Sequence, residues 1–453
     1  MTVSLAFAPI SELCERLRKR EISATRLIDL YADRIEALSS SSKAFISLDL
    51  ERARERAEAI DIEGSAGTGL GGIPYSCKDL FDVEGMATTG GSRVLADNVA
   101  KQDAEVIARL TRAGAIFIGK NNLHEFAYGA TGENEIYGTP PNPYDASRLA
   151  GGSSSGSAAA LGYGLCAASL GTDTGGSVRA PAALCGLVGF KPTFGRISTE
   201  GVTPYSWSLD HVGTLTRSAA DAAALFENLA AESRESVPTK LDGLTIGIPE
   251  TFFFERCDSE ILDCVDRLMT FMRNAGARLK PVDMPSMEFT RTVSLTVQMP
   301  EALSYHNRYL EQRGDLYSRD FRAGLALGQC LLAEQYIRAK RFMETYRREM
   351  NRIFDQVDTI LTPATPVIAP HIGAVDIVID GTSEPAGNAI TRYTSFFNMS
   401  GHPAITFPCG MHSAGLPIAA QLVGRHHADE SLIETARLIE TGYDFELPRP
   451  SLS

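Results

Sequence analysis

Apolar residues at helical spacing dominate the first part of the chain. They recur every three or four positions within residues 9–61, which predicts amphipathic helices because residues so spaced share one helix face. A strand-like stretch at 44–48 interrupts this pattern. The clearest apolar stripe consists of Leu27, Leu30, Tyr31, Ile35 and Leu38. We therefore expect an opening layer of helices.

Strand-like and helical patterns alternate from residue 73 to about residue 215. Short apolar runs at 73–77 and 115–119 are typical of buried strands, whereas residues 103–112 have helical periodicity. Such alternation predicts an α/β fold built on a sheet. Helical patterns then predominate to about residue 356, and the last hundred residues return to a mixed α/β character.

The chain contains no long polar linker, so we expect one compact domain. Its four predicted parts are a helical N-terminal layer (1–65), the core (66–250), a variable helical insertion (258–356) and the C-terminal part of the core (357–453).

An apolar stripe runs along the predicted insertion. Its members are spaced three and four residues apart: Tyr336, Ala339, Met343, Tyr346, Met350, Ile353 and Val357. The default interpretation is packing against the core of the same chain. The same stripe could instead form the interface of a homodimer, and the sequence leaves both alternatives open.

The charge balance argues against a nucleic-acid partner. The 453 residues include 43 Lys and Arg against 56 Asp and Glu, which gives a formal net charge of −13. Affinity for nucleic acid rests mainly on basic residues that neutralise phosphates, so we expect no nucleic-acid site. No apolar run approaches the roughly 20 residues that cross a bilayer, and we expect no membrane partner.

The eight cysteines are scattered along the sequence. They form no C-x-x-C pair and show no spacing with histidine that is typical of zinc ligands. Core packing is the default role for cysteines of this kind. We therefore expect reduced thiols, a cytoplasmic location and no metal site.

Two segments rich in glycine and serine, 151–157 and 171–179, have the most unusual composition. Such segments let backbone N–H groups approach a ligand, and they suit a phosphate cradle, an oxyanion hole or tight turns. The G-K-[ST] ending of a phosphate-binding loop is missing. Residues 152–156 match the G-x-S-x-G nucleophile elbow around Ser154, but that elbow requires a preceding strand, and residues 142–150 resemble a loop.

Lys78 is the strongest candidate for a general base. It follows the apolar stretch 73–77, which predicts a buried strand ending at the edge of the sheet. Desolvation disfavours the ammonium form, so a buried lysine can stay neutral near neutral pH and accept a serine proton. The alternative is a structural ion pair with Asp79 or Asp82.

These motifs together resemble the amidase signature family. The similarity rests on Lys78, residues 151–154 and the long block 171–193, and it returns at 360–366 and 415–424. It extends over nearly the whole chain. The resemblance implies an α/β fold with a large mixed central β-sheet flanked by helices on both faces. It also implies hydrolysis of a carboxamide, or of a related carbamate, urea or ester bond, through an acyl-enzyme without a cofactor.

The resemblance further implies roles for individual residues. Ser177 would be the nucleophile, Ser153 a bridging serine that follows a cis peptide bond, and Lys78 the base. The oxyanion hole would be formed by the backbone of Thr174, Gly175, Gly176 and Ser177, where paired glycines let successive N–H groups point at one oxygen. The supporting residues would be Ser154, Asp173 and Arg179.

The substrate pocket is less clearly marked in the sequence. In the family, segments that match 125–131 and 205–210 lie beside the nucleophile and at the entrance of the pocket. This makes Tyr128, Gly129 and Trp207 candidates for substrate binding. Trp207 could equally be an ordinary packing residue, because aromatic side chains serve both purposes.

Two functions fit the resemblance. The first is an autonomous serine amidohydrolase that acts on a small-molecule amide. The alternative is the glutaminase-type A subunit of glutamyl-tRNA(Gln) amidotransferase, which releases ammonia from glutamine for a partner enzyme. Residues 391–400 lack the proline expected before the asparagine of that subunit, and this departure favours the amidohydrolase.

Overall fold

The computed structural model describes residues 5–230 and 236–451, so the first four residues of the predicted N-terminal layer lie outside the described part. The helices are α1 (Ile10–Arg18), α2 (Ala24–Ser42), α3 (Leu50–Glu63), α4 (Glu105–Arg112), α5 (Ser155–Gly162), α6 (Arg179–Leu184), α7 (Ala219–Leu229), α8 (Ser259–Asn274), α9 (Thr290–Arg313), α10 (Arg319–Gln329), α11 (Ala333–Phe354), α12 (Ala386–Thr391), α13 (Phe396–Ser400) and α14 (Asp429–Gly442). The strands are β1 (Phe45–Leu48), β2 (Pro74–Lys78), β3 (Ile116–Asn121), β4 (Ala168–Asp173), β5 (Val188–Lys191), β6 (His211–Thr216), β7 (Thr245–Pro249), β8 (Arg278–Val282), β9 (Thr359–Pro363), β10 (Asp376–Ile379), β11 (Thr382–Pro385), β12 (Ala404–Met411) and β13 (Pro417–Gly424).

Eleven of these strands form one mixed sheet, and β10 and β11 form a separate hairpin. The strand order in the large sheet is β1-β3-β2-β4-β6-β5-β12-β13-β9-β7-β8. Strand β2 runs parallel to both β3 and β4, whereas the pairs from β4 to β9 are antiparallel. Every residue of β4, β6 and β13 is buried, as expected when helices cover both faces of a sheet. The predicted fold class is confirmed.

The opening layer has the predicted form. Helices α1, α2 and α3 occupy residues 10–63, and β1 interrupts them at 45–48. Helix α2 begins after Ser23, whose hydroxyl accepts a hydrogen bond from the Arg26 N–H and so satisfies a free donor of the first turn. The apolar stripe of α2 faces the core, where Leu27 and Tyr31 are fully buried.

The predicted insertion at 258–356 is not wholly helical. Strand β8 lies within this segment and forms the edge of the large sheet, where it pairs in parallel with β7. A short strand at a sheet edge carries few apolar residues, and β8 is mostly exposed, so its pattern did not stand out in the sequence. The apolar stripe of α11 is buried by the chain itself, with Met343, Tyr346 and Met350 at most 3% exposed. It is therefore a core face and is not available to a second copy of the chain.

Within the described residues, no helix combines the length and the apolar character needed to span a membrane. All eight cysteines are free thiols; seven are buried and Cys330 is exposed.

Candidate active site

The carboxyl ends of three neighbouring strands meet at one edge of the sheet. Strand β2 lies between β3 and β4 and runs parallel to both. Ligand sites of α/β proteins commonly form at such an edge, beyond the carboxyl ends of the strands. Strand β2 ends at Lys78, and β4 ends at Asp173. Residues 174–177 follow directly, and we call them the oxyanion loop after the role that the resemblance implies. The parallel pairing thus brings together two of the segments that the sequence marks as chemically unusual.

Lys78 is completely buried at this edge. Its Nζ lies 2.7 Å from Ser153 Oγ and 2.8 Å from Thr172 Oγ1, and both contacts are within hydrogen-bonding distance. These partners lie 75 and 94 residues away along the chain. The position of Lys78 is therefore set by tertiary packing.

The structural ion pair that the sequence left open for Lys78 is not formed. Asp79 lies 3.3 Å from Nζ of the neighbouring buried Lys120. Asp82 accepts a hydrogen bond of 2.8 Å from the Thr88 hydroxyl. Asp79 follows the last residue of β2, and its carboxylate also accepts hydrogen bonds from the N–H and the hydroxyl of Thr89. Among the described residues, the hydrogen-bond partners of Lys78 Nζ are the hydroxyls of Ser153 and Thr172.

Burial sets the protonation state of Lys78. Desolvation disfavours the charged ammonium and lowers the pKa of Lys78 to about 7, although the negative charges of Asp210 and Asp173 oppose this shift. At neutral pH a substantial fraction of the Lys78 amine is therefore uncharged. An uncharged amine next to a serine hydroxyl can accept a proton.

A buried ion pair holds the segment that follows β4. Arg179 binds both carboxylate oxygens of Asp173, through Nε at 3.0 Å and Nη2 at 2.9 Å. The Asp173 carboxylate also accepts hydrogen bonds from the backbone N–H groups of Gly176 and Val178. Burial alone would raise the pKa of Asp173, but the charge and hydrogen bonds of Arg179 hold it well below its usual range. Asp173 is thus a fixed anion that shapes the oxyanion loop.

Gly176 is required by the shape of this loop. Its φ of +127° is rarely adopted by residues with a side chain. A Cβ atom at this position would lie only 2.0 Å from Thr394 Oγ1. The same Thr394 hydroxyl donates a hydrogen bond to the carbonyl oxygen of Gly175 (2.8 Å), as does the Ser395 hydroxyl (2.9 Å).

The backbone N–H groups of the oxyanion loop differ in their availability. The Gly176 N–H donates to Asp173 Oδ1 at 2.8 Å. The expectation that this group serves a substrate oxygen is therefore corrected, since its hydrogen bond is already made inside the protein. The N–H groups of Gly175 and Ser177 have no acceptor among the described residues. These two donors are free to bind an oxygen atom of a ligand.

Ser153 and Ser177 lie on two loops that touch each other. The peptide bond between Gly152 and Ser153 is cis, as the resemblance implies. The N–H of Ser154 donates to the carbonyl oxygen of Ser177 at 3.3 Å, and the Ser154 hydroxyl donates to the carbonyl oxygen of Thr172 at 3.3 Å. Among the described hydrogen bonds there is none between the hydroxyls of Ser153 and Ser177. The two loops are joined through their backbones.

Ser177 lies at the wall of a cavity of about 1030 Å³, which is large for a small-molecule site. Tyr128 and Gly129, both predicted from the sequence, line the same cavity. Ser177 itself is only 7% exposed, so a ligand must enter the cavity to reach its hydroxyl. The remaining polar residues of the wall include His124, Glu133, Tyr205, Arg291, Gln298 and Asp320.

Trp207 does not line this cavity. Its side chain is 49% exposed, and it borders a separate, smaller cavity together with Thr172 and Asp210. Glu301 of α9 fixes the orientation of this segment. Its carboxylate accepts hydrogen bonds from Ser206 and Ser208, the residues on either side of Trp207. Because the two serines face α9, the indole between them points outward. The sequence indicated the segment but not the direction of this side chain.

Asp210 is a site residue that the sequence analysis did not single out. Its carboxylate accepts a hydrogen bond of 2.6 Å from the Thr174 hydroxyl and two of 2.9 Å from the N–H groups of Tyr205 and Ser206. Burial raises its pKa, and these hydrogen bonds oppose that shift. Asp210 thereby connects the oxyanion loop with the cavity wall. In the sequence, the only feature that could have indicated Asp210 was its place as an acidic residue at the end of the segment 205–210.

His124 and Gln298 were also missed. His124 lies in the polar run that follows β3, and burial lowers its pKa to about 4, so its imidazole is neutral near pH 7. Gln298 projects from α9 toward the oxyanion loop, where a Cβ added to Gly175 would lie 4.0 Å from its Nε2. The position after a parallel strand could have indicated His124. Nothing in the helical pattern of α9 distinguishes Gln298.

The fold and the residues gathered at this sheet edge define a hydrolase of the amidase type. The chain belongs to the amidase signature family, whose model, described as Amidase, matches residues 26–433. It is 32% identical over 485 aligned residues to the A subunit of glutamyl-tRNA(Gln) amidotransferase from Marinomonas sp. (strain MWYL1), and the alignment covers 98% of each chain.

Solved structures support the same relationship. One comes from work on a vestigial protein complex and the evolutionary origins of an s-triazine catabolic enzyme; it has a TM-score of 0.91 and 32% identity, and the match covers 97% of this chain and 100% of that chain. Another, described as an amidase, has a TM-score of 0.90 and 34% identity, with coverage of 96% and 99%. The predicted family is confirmed at the level of both sequence and fold.

Proposed function

We propose that this protein is a serine amidohydrolase that cleaves a carboxamide, or a related carbamate or urea-type bond, through an acyl-enzyme on Ser177. The observation that carries this proposal is the buried Lys78, which contacts Ser153 beside the cavity that Ser177 lines. A lysine with a pKa of about 7 can act as a base at neutral pH. No cofactor is needed for this chemistry.

In the acylation step, the Ser177 oxygen attacks the carbonyl carbon of the substrate. The Ser177 proton passes to Ser153, which gives its own proton to the neutral Lys78 amine. Lys78 then returns a proton through Ser153 to the leaving nitrogen, the C–N bond breaks, and the amine departs. Because the two serine hydroxyls are not hydrogen-bonded in the free protein, they must approach each other when the substrate binds, as catalytic hydrogen bonds commonly do.

In the deacylation step, water attacks the carbonyl carbon of the acyl-enzyme and passes a proton through Ser153 to the neutral Lys78 amine. The C–O bond to Ser177 breaks, Lys78 returns the proton through Ser153 to the Ser177 oxygen, and the carboxylic acid leaves. The free N–H groups of Gly175 and Ser177 would bind the negative oxygen that forms in both steps. Preorganised donors of this kind stabilise the transition state strongly.

The supporting roles follow from the contacts of Asp173, Arg179 and Ser154. Asp173 orients the oxyanion loop through backbone N–H groups, and Arg179 keeps Asp173 ionised. The backbone of Ser154 holds the loop of Ser177 beside that of Ser153. None of the three needs to touch the substrate.

Tyr128 should influence which acyl group is preferred. Replacing Tyr128 with Phe removes a hydroxyl from the cavity wall. The ratio of kcat/KM for polar amides to kcat/KM for apolar amides should therefore change by about threefold or more. The matched aromatic variant Trp207→Phe should leave that ratio within about twofold of the native value, because Trp207 borders a different cavity. Steady-state kinetics on a series of aliphatic and aryl amides measures both. A larger change for Trp207→Phe than for Tyr128→Phe would move specificity to the smaller cavity.

The second candidate function is that of an amidotransferase A subunit, which would use the same residues to release ammonia from glutamine. It is favoured by the similarity to a protein of that name over 98% of each chain. The departure at residues 391–400 argues against it. The two functions differ in whether a partner is needed.

A panel of amides assayed with the purified chain alone distinguishes the two candidates. We expect turnover of simple or aryl amides without a partner protein, ATP or tRNA. The matched arm uses glutamine as the only substrate, with ammonia release as the readout. Activity confined to glutamine, and only after a partner is supplied, would establish the amidotransferase function instead.

A further inference from the structure

Arg291 is an exposed cation at the wall of the large cavity. It lies where this cavity adjoins a smaller one of about 420 Å³ and lines both. Among the described residues no acceptor or carboxylate binds its guanidinium. Partial desolvation at the cavity wall lowers the pKa of Arg291, and the neighbouring phenols of Tyr205 and Tyr128 oppose this shift. Arg291 is also the second residue of α9. A cation is unfavourable at the positive end of the helix dipole, so helix stability does not explain its presence.

The hydroxyl of Tyr205 is a second unsatisfied group in the same cavity. The Tyr205 side chain is only 3% exposed, and its Oη atom has no hydrogen-bond partner among the described residues. Leaving a buried hydroxyl without a partner costs free energy, so such a group calls for a ligand. Its ring packs edge-to-face on Tyr128, with 6.2 Å between the ring centroids. Burial raises the pKa of both phenols, so both remain hydrogen-bond donors.

Helix α9 relates Arg291 to the reacting end of the cavity. Arg291, Leu295 and Gln298 are spaced four and three residues apart and all line the cavity, so they share one helix face. Gln298 lies beside Gly175 of the oxyanion loop. A separation of seven residues corresponds to roughly 10 Å along a helix. Arg291 is therefore positioned to bind a group that lies several bonds from the scissile carbonyl.

The negative charges of the cavity lie elsewhere on its wall. Asp320 is 4.0 Å from His124 Nε2, and neither Asp320 nor Glu133 forms an ion pair with Arg291 in the described part of the chain. Glu255, Glu288 and Glu384 border only the smaller cavity, which is also lined by Arg256 and Arg392. An anion in the large cavity would therefore be attracted to Arg291 and disfavoured near Asp320.

We propose that Arg291, together with the Tyr205 hydroxyl, binds a carboxylate carried by the substrate at a position distant from the scissile bond. This inference rests on the proposed amidohydrolase function and specifies its substrate class as carboxylate-bearing amides. The acyl portion and the leaving amine can each carry the carboxylate, and the two sources share the same recognition chemistry. Arginine suits this role because its planar guanidinium can bind a carboxylate through two hydrogen bonds.

Paired substrates test the inference. On the acyl side, adipamate is compared with the neutral 6-hydroxyhexanamide; on the amine side, N-butyryl-β-alanine is compared with N-butyryl-3-aminopropanol. We expect the acid to exceed its neutral analogue in kcat/KM by about tenfold or more in one of the pairs, as charge-assisted hydrogen bonds generally imply. The pair that shows the preference identifies which portion of the substrate carries the carboxylate.

Variants assign the preference to Arg291. Arg291→Gln should bring the ratio of kcat/KM for the acid to that for its neutral analogue close to one. Arg291→Lys should retain part of the preference, since it keeps the charge but not the paired hydrogen bonds, and Tyr205→Phe should lower it. Arg308→Gln is the matched control, because Arg308 is an exposed cation of α9 that stacks on Tyr305 and Tyr309 and does not line the cavity.

The outcomes separate this inference from the proposed function. Hydrolysis of the neutral analogues with no preference for either acid, or a preference that persists in Arg291→Gln, overturns the carboxylate site and leaves the amidohydrolase intact. If no compound of the panel is hydrolysed, the rate of fluorophosphonate labelling of Ser177 is measured with adipate or 1,6-hexanediol present. Protection by adipate in the native chain but not in Arg291→Gln supports the site, whereas equal labelling rates overturn it. No labelling of Ser177 at all contradicts the proposed function itself.

Discussion

Replacing Ser177 with Ala should abolish amide hydrolysis, with a fall in kcat of about 10⁴- to 10⁶-fold, because loss of a serine nucleophile has effects of this size in other hydrolases. The variant has no oxygen that can form the acyl-enzyme. It should also fail to react with a fluorophosphonate, which labels an activated serine. Mass spectrometry of the intact protein and of its peptides measures the adduct, and we expect one adduct, on Ser177, in the native chain.

Ser157→Ala is the matched control for this experiment. Ser157 belongs to the same glycine- and serine-rich segment as Ser153, but its hydroxyl donates to the carbonyl oxygen of Leu170 at 3.1 Å and lies on α5. The Ser157→Ala variant should still be labelled on Ser177. An adduct on Ser154 or on a cysteine, in place of Ser177, would falsify the assignment of the nucleophile.

Replacing Lys78 with Ala should lower kcat/KM by at least about 10²- to 10⁴-fold, the usual contribution of a positioned acid or base. In the native chain the active form contains the neutral amine. As the pH falls through the Lys78 pKa of about 7, the amine is protonated and activity is lost; as the pH rises through that value, activity increases to a plateau. A pH profile of kcat/KM between about pH 5 and 9 measures this limb.

Two further variants distinguish a loss of proton transfer from a loss of side-chain packing around Lys78. Lys78→Arg should remain inactive because a guanidinium stays protonated and cannot act as a base. Ser153→Ala leaves Lys78 in place but removes the bridge, so acylation should slow by about 10²-fold or more. Circular dichroism melting curves show whether each variant is folded. Near-native turnover by folded Lys78→Ala, or a profile without a limb near the Lys78 pKa, contradicts the role of Lys78 as base.

The residues of the site differ in how far their sequence context revealed them. Ser153 and Ser177 stand in glycine- and serine-rich segments of unusual composition, and Lys78 follows an apolar run. The resemblance to the family then implied their roles. Asp210 and Gln298 stand in ordinary contexts. They reach the oxyanion loop only because α9 and the segment before β6 pack beside it, and such packing leaves no local trace in sequence.

The sequence also did not predict the direction in which side chains point. Trp207 was assigned to the pocket with its segment, yet the hydrogen bonds of Ser206 and Ser208 to Glu301 turn its indole outward. The ion pair left open for Lys78 depends on the partner strand, since Lys120 of β3 lies beside Asp79. In each case a contact between distant parts of the chain chose between two local alternatives.

Local patterns and motifs a few residues long were sufficient to establish the family, the α/β class, the opening helices and the candidate residues of the site. The protonation of Lys78, the availability of the backbone N–H groups and the exposure of Arg291 to the large cavity instead depended on the folded arrangement. The physical reason is that desolvation, hydrogen-bond pairing and cavity shape depend on which distant segments meet. Lys78 lies 75 and 94 residues from its two partners, and its lowered pKa arises only where the parallel strands β2 and β4 bring those residues together.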